Sequence, residues 1–433
     1  MRTESLTRSR NGAAGVAFFG LLAFIVIVYA NPGNWFDGLE DFAFAKIAAG
    51  LSLAALGGSW LLYGRKLSLG GTQGKALLML FALVGLSAAW SFWPKFSFDT
   101  FTDGLKYLAI FLLVVNTVDS ESRLATTVRV IAVASVIPAL GAAWSHAHGE
   151  HLVEGDRAGW IGIFANPNDL AYHLVVGVAM VLAASASAKT RGRSAAWLGL
   201  LLPIGYGLAL TQSRAGMFAG LAVGFLFVLR AAGKRYPVVL GVAFVLGVLV
   251  LMSPSNPWRT RTDAATAYGE DASARGRIDA WRTGINMVKD RPFSGVGAGA
   301  FMIAWPEYAP GDAGEVRSEH NTYIQLTSEL GLPALFLFLA AIGAAAFGIM
   351  HAARVNGPLQ PLARGVQCGI LGFAICSVFG GIAWTWPVYL LTGLGFAIRR
   401  LDTSRVTAQS RMAAVADNDY ATMTVVPALA GRR

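Results

Sequence analysis

Long apolar blocks separated by short polar connections follow one another along most of the chain. A helix crossing a bilayer needs about 20 largely apolar residues. Twelve blocks fit: 12–30, 42–63, 76–93, 105–118, 124–144, 170–188, 195–210, 215–229, 236–252, 324–350, 366–385 and 388–398. Blocks 105–118 and 388–398 are short and must recruit flanking residues or tilt less; the last two divide near Trp386-Pro387. None shows the period-two alternation of a membrane barrel strand, and lipid leaves helices as the other way to satisfy the backbone. The expected fold is an all-α polytopic membrane protein with about 12 transmembrane helices. Residues 1–400 form its membrane domain, 253–320 a large loop between helices 9 and 10, and 401–433 a polar tail expected to be mobile.

Composition supports this pattern. Hydrophobic residues make up 55% and charged residues 14% of the chain, against about 25% charged in a soluble domain. With the N-terminus cytoplasmic, the alternate short connections hold Arg65, Lys66, Lys75, Arg123, Lys189, Arg191, Arg193, Arg230, Lys234, Arg235, Arg354 and Arg364. The opposite short connections hold only Lys95, Arg157 and Arg214 as basic residues. That is the positive-inside pattern for twelve spans, with both termini cytoplasmic and the long loop outside. The net charge of +10 is therefore mostly a topology signal with contact to anionic lipid. No basic domain stands outside the spans to bind nucleic acid. The first apolar run reads as a span rather than a cleaved leader. Cys368 and Cys376 share one apolar block and do not report a redox compartment.

Polar groups gather in four places on the outer side. In Asp156-Arg157-Ala158-Gly159-Trp160 and Phe164-Ala165-Asn166-Pro167-Asn168-Asp169, the Asn-Pro-Asn turn starts the sixth span, with Asn168 or Asp169 near its cap. Arg157 is either a snorkelling interfacial residue or a functional cation. Thr211-Gln212-Ser213-Arg214 is a tight turn that leaves Arg214 at the outer boundary, with the same two readings. Around Arg275-Gly276-Arg277-Ile278-Asp279-Ala280-Trp281-Arg282, apolar residues at Ile278, Trp281, Ile285 and Val288 predict an amphipathic helix over 278–289, suited to a membrane surface. Arg277 and Trp281 share a face there. After Pro292, Gly295-Val296-Gly297-Ala298-Gly299 lacks the strand and Lys-Ser/Thr of a nucleotide loop and reads as a close-packed turn.

Ser318-Glu319-His320-Asn321 closes the loop. His320 is either an anchor or a group that accepts a proton near neutral pH. His146, His148, His151 and Glu150 have no compact ligand spacing with it, so no metal site is expected. The loop's aromatic residues suit lipid or sugar rings. Taken together, several arginines able to bind a diphosphate and one histidine able to take a proton suggest an outer-face site for a membrane-held anionic substrate.

Four ordered motifs sharpen that reading: Arg157-x-Gly159-Trp160 with Phe164-x-Asn166-Pro167-Asn168; Thr211-x-Ser213-Arg214-Ala215-Gly216; Arg277-x-x-x-Trp281 with Asp290-x-Pro292-x-x-Gly295-Val296-Gly297-x-Gly299-x-Phe301; and His320-Asn321-x-Tyr323-x-Gln325 with Glu329-x-Gly331-Leu332-Pro333. With them the chain resembles the O-antigen ligase and polymerase superfamily of bacterial envelope glycosyltransferases. The motifs cover roughly 155–340, and the hydropathic plan extends over most of the chain.

The resemblance implies a GT-C-like fold in the bacterial inner membrane and glycan transfer from a polyprenyl diphosphate carrier on the periplasmic side. It implies a metal-independent, inverting reaction without cofactor. His320 is then the base, Arg157 and Arg214 hold the diphosphate, and Arg277 is the next diphosphate candidate. Arg282, Arg317, Asn168, Glu319, Asn321 and Trp281 are possible supporting residues. The compact length and single large loop favour a ligase acting on a lipid A-core hydroxyl. The alternatives are an O-antigen or exopolysaccharide repeat-unit polymerase, a protein glycosyltransferase, and a non-enzymatic anion transporter. A transporter should gather its polar groups near the midplane, between matching broken repeats, whereas these arginines and His320 lie at the outer boundary.

Overall fold

A computed structural model describes residues 2–35, 44–64, 66–231, 270–311 and 313–425. Helices occupy every apolar block except 236–252, which lies outside the described residues together with the first part of the long loop. They are α1 (Arg2–Ala30), α2 (Phe44–Tyr63), α3 (Gly71–Ser87), α4 (Pro94–Thr117), α5 (Glu121–Ala134), α6 (Val136–His148), α7 (Pro167–Ala186), α8 (Arg191–Gly199), α9 (Leu201–Leu210) and α10 (Arg214–Ala231). After the gap come α11 (Glu270–Asp290), α12 (Phe301–Tyr308), α13 (Thr322–Leu330), α14 (Leu332–Gly348), α15 (Met350–Arg354), α16 (Gln360–Cys376) and α17 (Trp386–Val425). Among the described residues, five stretches are long and apolar enough to cross a membrane: Gly15–Asn34, Phe44–Tyr63, Glu121–His148, Pro167–Ala186 and Arg191–Leu210. Gly71–Ser87 and Leu332–Gly348 are shorter apolar helices.

Several expected spans are broken, and prolines set the breaks. A proline ring meets the carbonyl four residues earlier and removes one helical donor. Pro138 accordingly follows the α5–α6 break at Ser135, and Pro203 follows the α8–α9 break at Leu200. Pro333 follows Gly331, whose φ of 82° separates α13 from α14. The block 366–385 is helical only to Cys376; 377–385 is irregular before α17 begins at Trp386. Residues 401–425, expected as a mobile tail, continue α17.

Buried α7 is the central helix, packed by α5, α9, α10 and α16. Small residues let these helices approach closely, as in membrane packing generally. A side chain on Gly207 would stand 2.8 Å from the Ala139 Cα, and one on Gly365 would overlap Ala183. One small exception to the all-helical expectation precedes α7: β1 (Leu152–Val153) pairs antiparallel with β2 (Arg157–Ala158). Glu154 and Gly155, with φ of 49° and 98°, turn the hairpin.

The loop region packs around its own small core of Ala280, Met287, Val296, Phe301, Trp305 and Tyr308. Among the described residues its aromatic side chains are thus largely structural, with Phe293 exposed; Trp258 and Tyr268 lie outside the described residues. Helix α11 extends the predicted 278–289 helix toward the N-terminus. It buries Gly276, Ala280, Thr283, Gly284 and Met287, whereas Ile278 and Ile285 stay exposed. Apolar spacing located this helix but not its packed face, because small residues let it sit directly on α13: a Cβ at Gly284 would overlap Ile324.

Candidate functional site

The hairpin carries Arg157 to the mouth of the bundle, where three partners fix its guanidinium. Nε donates to the Thr211 carbonyl at 3.1 Å, one terminal nitrogen to Asn168 Oδ1 at 2.9 Å and the other to Glu154 Oε2 at 2.6 Å. Its side chain is 17% exposed, so it does not snorkel freely. The hairpin is linked to the α9–α10 turn a second time, by Gln212 Nε2 donating to Asp156 Oδ1 at 3.2 Å. Gln212 itself has a φ of 50°. The first two polar clusters therefore form one structure. Arg214, exposed, opens α10 three residues beyond the Thr211 carbonyl that Arg157 grips.

The Asn-Pro-Asn turn divides its labour. Asn166 is the cap, accepting the Asn168 amide at 2.8 Å, and Pro167 takes the first helical position, where its missing N–H costs nothing. Asn168 and Asp169 follow in the first turn, and the Asn168 side chain orients Arg157.

His320 arrives from the other side of the site. It is half-buried with a φ of 47°, and Nε2 lies 3.3 Å from Ser318 Oγ. The next residues hold this unfavourable backbone in place. Asn321 caps α13 by accepting the Tyr323 and Ile324 amides at 2.9 and 3.1 Å, and donates to the Val378 carbonyl at 3.0 Å. Thr322 donates its amide to Ser377 O at 2.8 Å and its hydroxyl to Gly380 O at 2.7 Å, and accepts from the Ile382 amide at 2.9 Å. The irregular segment after α16 thus anchors the histidine loop.

Burial pushes the His320 pKa down, and Arg277 and Arg317 push it further; Glu154 opposes them. The ring is therefore neutral at pH 7, with a lone pair available for a proton. Arg277, half-buried on α11, also acts with Arg157 on the hydroxyl of Tyr172 in α7. The charges of Arg157, Arg277 and Arg317 thus converge with His320 on one region. Arg317 lies across Gly276 of α11, where an added Cβ would stand 2.6 Å from its Nε. Trp281, one turn beyond Arg277, is half-buried with no partner for Nε1, and Arg282 is exposed.

Glu319 turns into the protein, 5% exposed, within hydrogen-bonding reach of Gln325 and Glu329. Burial raises its pKa. The glycine turn packs against the same helix: Val296 and Gly297 amides donate to Ser328 and Glu329 carbonyls at 2.9 and 2.8 Å. Gly295 has a φ of 63°, and a Cβ there would overlap the Glu329 backbone. On its other side, Ser97 Oγ donates to Ala298 O at 2.7 Å. This is a close-packed turn that ties the loop to α4 and α13. Among the described residues, no three His, Cys, Asp or Glu side chains are grouped to hold a metal ion.

Sequence reasoning missed Glu154, Tyr172 and Gln212. The Glu154-Gly155 pair three residues before Arg157 was the available sign of a hairpin whose acid folds back on the arginine.

Residues 198–339 match the family model described as O-Antigen ligase. The match includes Arg214, Arg277, Trp281, Arg282, Arg317, Glu319, His320 and Asn321; Arg157 and Asn168 precede it. Over 327 residues the chain is 24% identical to "Exopolysaccharide production protein ExoQ" of Rhizobium meliloti (strain 1021), covering 71% of this chain and 73% of that protein. Over 344 residues it is 25% identical to "Teichuronic acid biosynthesis protein TuaE" of Bacillus subtilis (strain 168), covering 71% and 68%. Over residues 198–339, which hold His320 and its neighbouring arginines, the chain is therefore similar to the O-antigen ligase family.

Proposed function

We propose that this protein transfers a glycan from a polyprenyl diphosphate carrier to an acceptor hydroxyl at the outer face of the bacterial inner membrane. The observation that carries this reading is His320, held in a left-handed backbone next to the cap Asn321 and acted on by the charges of Arg277 and Arg317, within the stretch that matches this family. The acceptor oxygen attacks the anomeric carbon while His320 takes its proton. The bond from that carbon to the diphosphate oxygen breaks, and its electron pair leaves with the carrier. Arg157, Arg214 and Arg277 hold the diphosphate as charge grows on it. Because Arg157 is already oriented by Thr211 and Asn168, little reorganisation is needed when charge develops. One displacement inverts the anomeric centre. Chelation is expected to leave transfer unchanged; loss restored by one divalent ion would contradict this.

The acceptor we assign is a second carrier-linked glycan, which makes the reaction a polymerisation. Both relatives are named for making polysaccharides, exopolysaccharide and teichuronic acid, and each match covers 71% of the chain. The family description favours the second reading, ligation to a lipid A-core hydroxyl. Purified protein given labelled polyprenyl-diphosphate glycan and each acceptor separately decides between them. Chain extension supports the first reading; label on lipid A-core alone overturns it in favour of the second.

A further inference from the structure

Helix α4 runs from the glycine turn of the candidate site to a second polar region at its other end. Its 24 residues span about 36 Å. There, a cavity of about 600 Å³ lies between the start of α3 and one face of α17. Gly71, Thr72, Phe396, Arg399, Arg400 and Arg411 line it, with hydroxyl residues between the arginines and, among the described residues, no carboxylate.

Arg400 is committed to the fold: its terminal nitrogens donate to the Val115 and Val118 carbonyls at 3.0 Å and close α4. The neighbouring acids are also taken, Asp119 by Arg123, Glu121 by Arg405 and Asp402 by His351. Among the described residues, Arg399 and Arg411 have no acidic partner. The start of α3 has no side-chain cap, and Gly71 brings it against Phe396, where a Cβ would stand 3.2 Å from the ring. Behind this wall lies a buried group. Gln73 is fully buried and donates through Nε2 to the Ala344 carbonyl at 3.2 Å, yet its Oε1 has no partner. That oxygen lies 3.8 Å from where a Gly71 Cβ would stand.

The cavity also has a definite depth. Phe396 belongs to the last apolar run, whereas Arg399 and the residues beyond it are polar. It therefore sits where hydrocarbon gives way to headgroups.

We propose that this cavity binds the headgroup of an anionic glycerophospholipid. Arg399 holds the phosphate beside the uncapped α3 amides, and Arg411, about 18 Å further along α17, adds positive charge to the same cavity. The lining hydroxyls of Thr403, Ser404 and Thr407 donate to helix carbonyls and are left to accept a headgroup hydroxyl, as phosphatidylglycerol supplies. This assignment does not depend on the chemistry at His320.

The full-length protein is reconstituted in nanodiscs of phosphatidylglycerol and phosphatidylcholine, and retained lipid is counted by native mass spectrometry after release into detergent. Wild type is expected to retain phosphatidylglycerol selectively. R399Q/R411Q retains it about 30-fold more weakly. T407W, which fills the cavity without removing charge, also loses it. R399K/R411K keeps part of the selectivity and guards against a folding defect. Equal retention in wild type and R399Q/R411Q, or full retention by T407W, overturns the proposal. So does glycerol phosphate that displaces the lipid and stabilises the protein equally, since the ligand is then a soluble phosphate.

Discussion

His320 and Arg157 illustrate how single residues set this site. His320 occupies a left-handed backbone that a non-glycine residue adopts only when its surroundings hold it there. Its neutral state follows from burial and from Arg277 and Arg317. As a base it must be unprotonated, so transfer fails as pH falls through a pKa below about 6.5. R277Q removes a charge that depresses that pKa, and the acid limb of kcat/KM should move to higher pH. E154Q removes an opposing charge, and the limb should move to lower pH. Unchanged limbs in both variants contradict the assignment. Arg157 differs from a simple positive charge because its fork engages partners in three directions. A lysine ammonium, with its donors on one nitrogen, cannot span the same three partners, so R157K should lose transfer about 100-fold, read as donor turnover at equal membrane abundance.

At the scale of elements, helix α13 joins the site to its supports. Asn321 caps it, the glycine turn packs along it and Glu319 is buried against it. N321A should lower stability by about 1 kcal/mol through loss of the cap, measured as a thermal shift in detergent. An unshifted melting temperature contradicts that role. Glu319 gives a pH-dependent term. Its folded pKa is raised, so its favourable contribution is fully present below the unfolded value of about 4.3. It is lost as pH rises through the folded value. E319Q should flatten that decline, so that its melting temperature exceeds wild type more at pH 8 than at pH 5. A constant difference argues against a protonated Glu319. The sequence located these elements well, since apolar periodicity marks helices and Pro138, Pro203 and Pro333 mark breaks. It failed on the packed face of α11, because small residues bury without a hydrophobic signature, and on the hairpin, which is too short to show alternation.

Across the whole molecule, the candidate site and the cavity beside Arg399 lie at opposite ends of α4. The four motifs were legible because distinctive polar residues interrupt apolar runs. Their convergence was not, because Arg157 reaches Thr211 and Asn168 only after the helices pack. The proposed orientation puts Glu315 outside and Ser410 inside; both are exposed, whereas native Cys368 and Cys376 are buried. An impermeant thiol reagent should therefore label E315C in intact spheroplasts, and S410C only after permeabilisation. Labelling of both from one side contradicts this orientation. The role of His320 as the base is tested by single-turnover transfer from labelled polyprenyl-diphosphate glycan by H320A in nanodiscs. Donor binding with transfer reduced to background is the expected result; transfer at the wild-type rate contradicts the account.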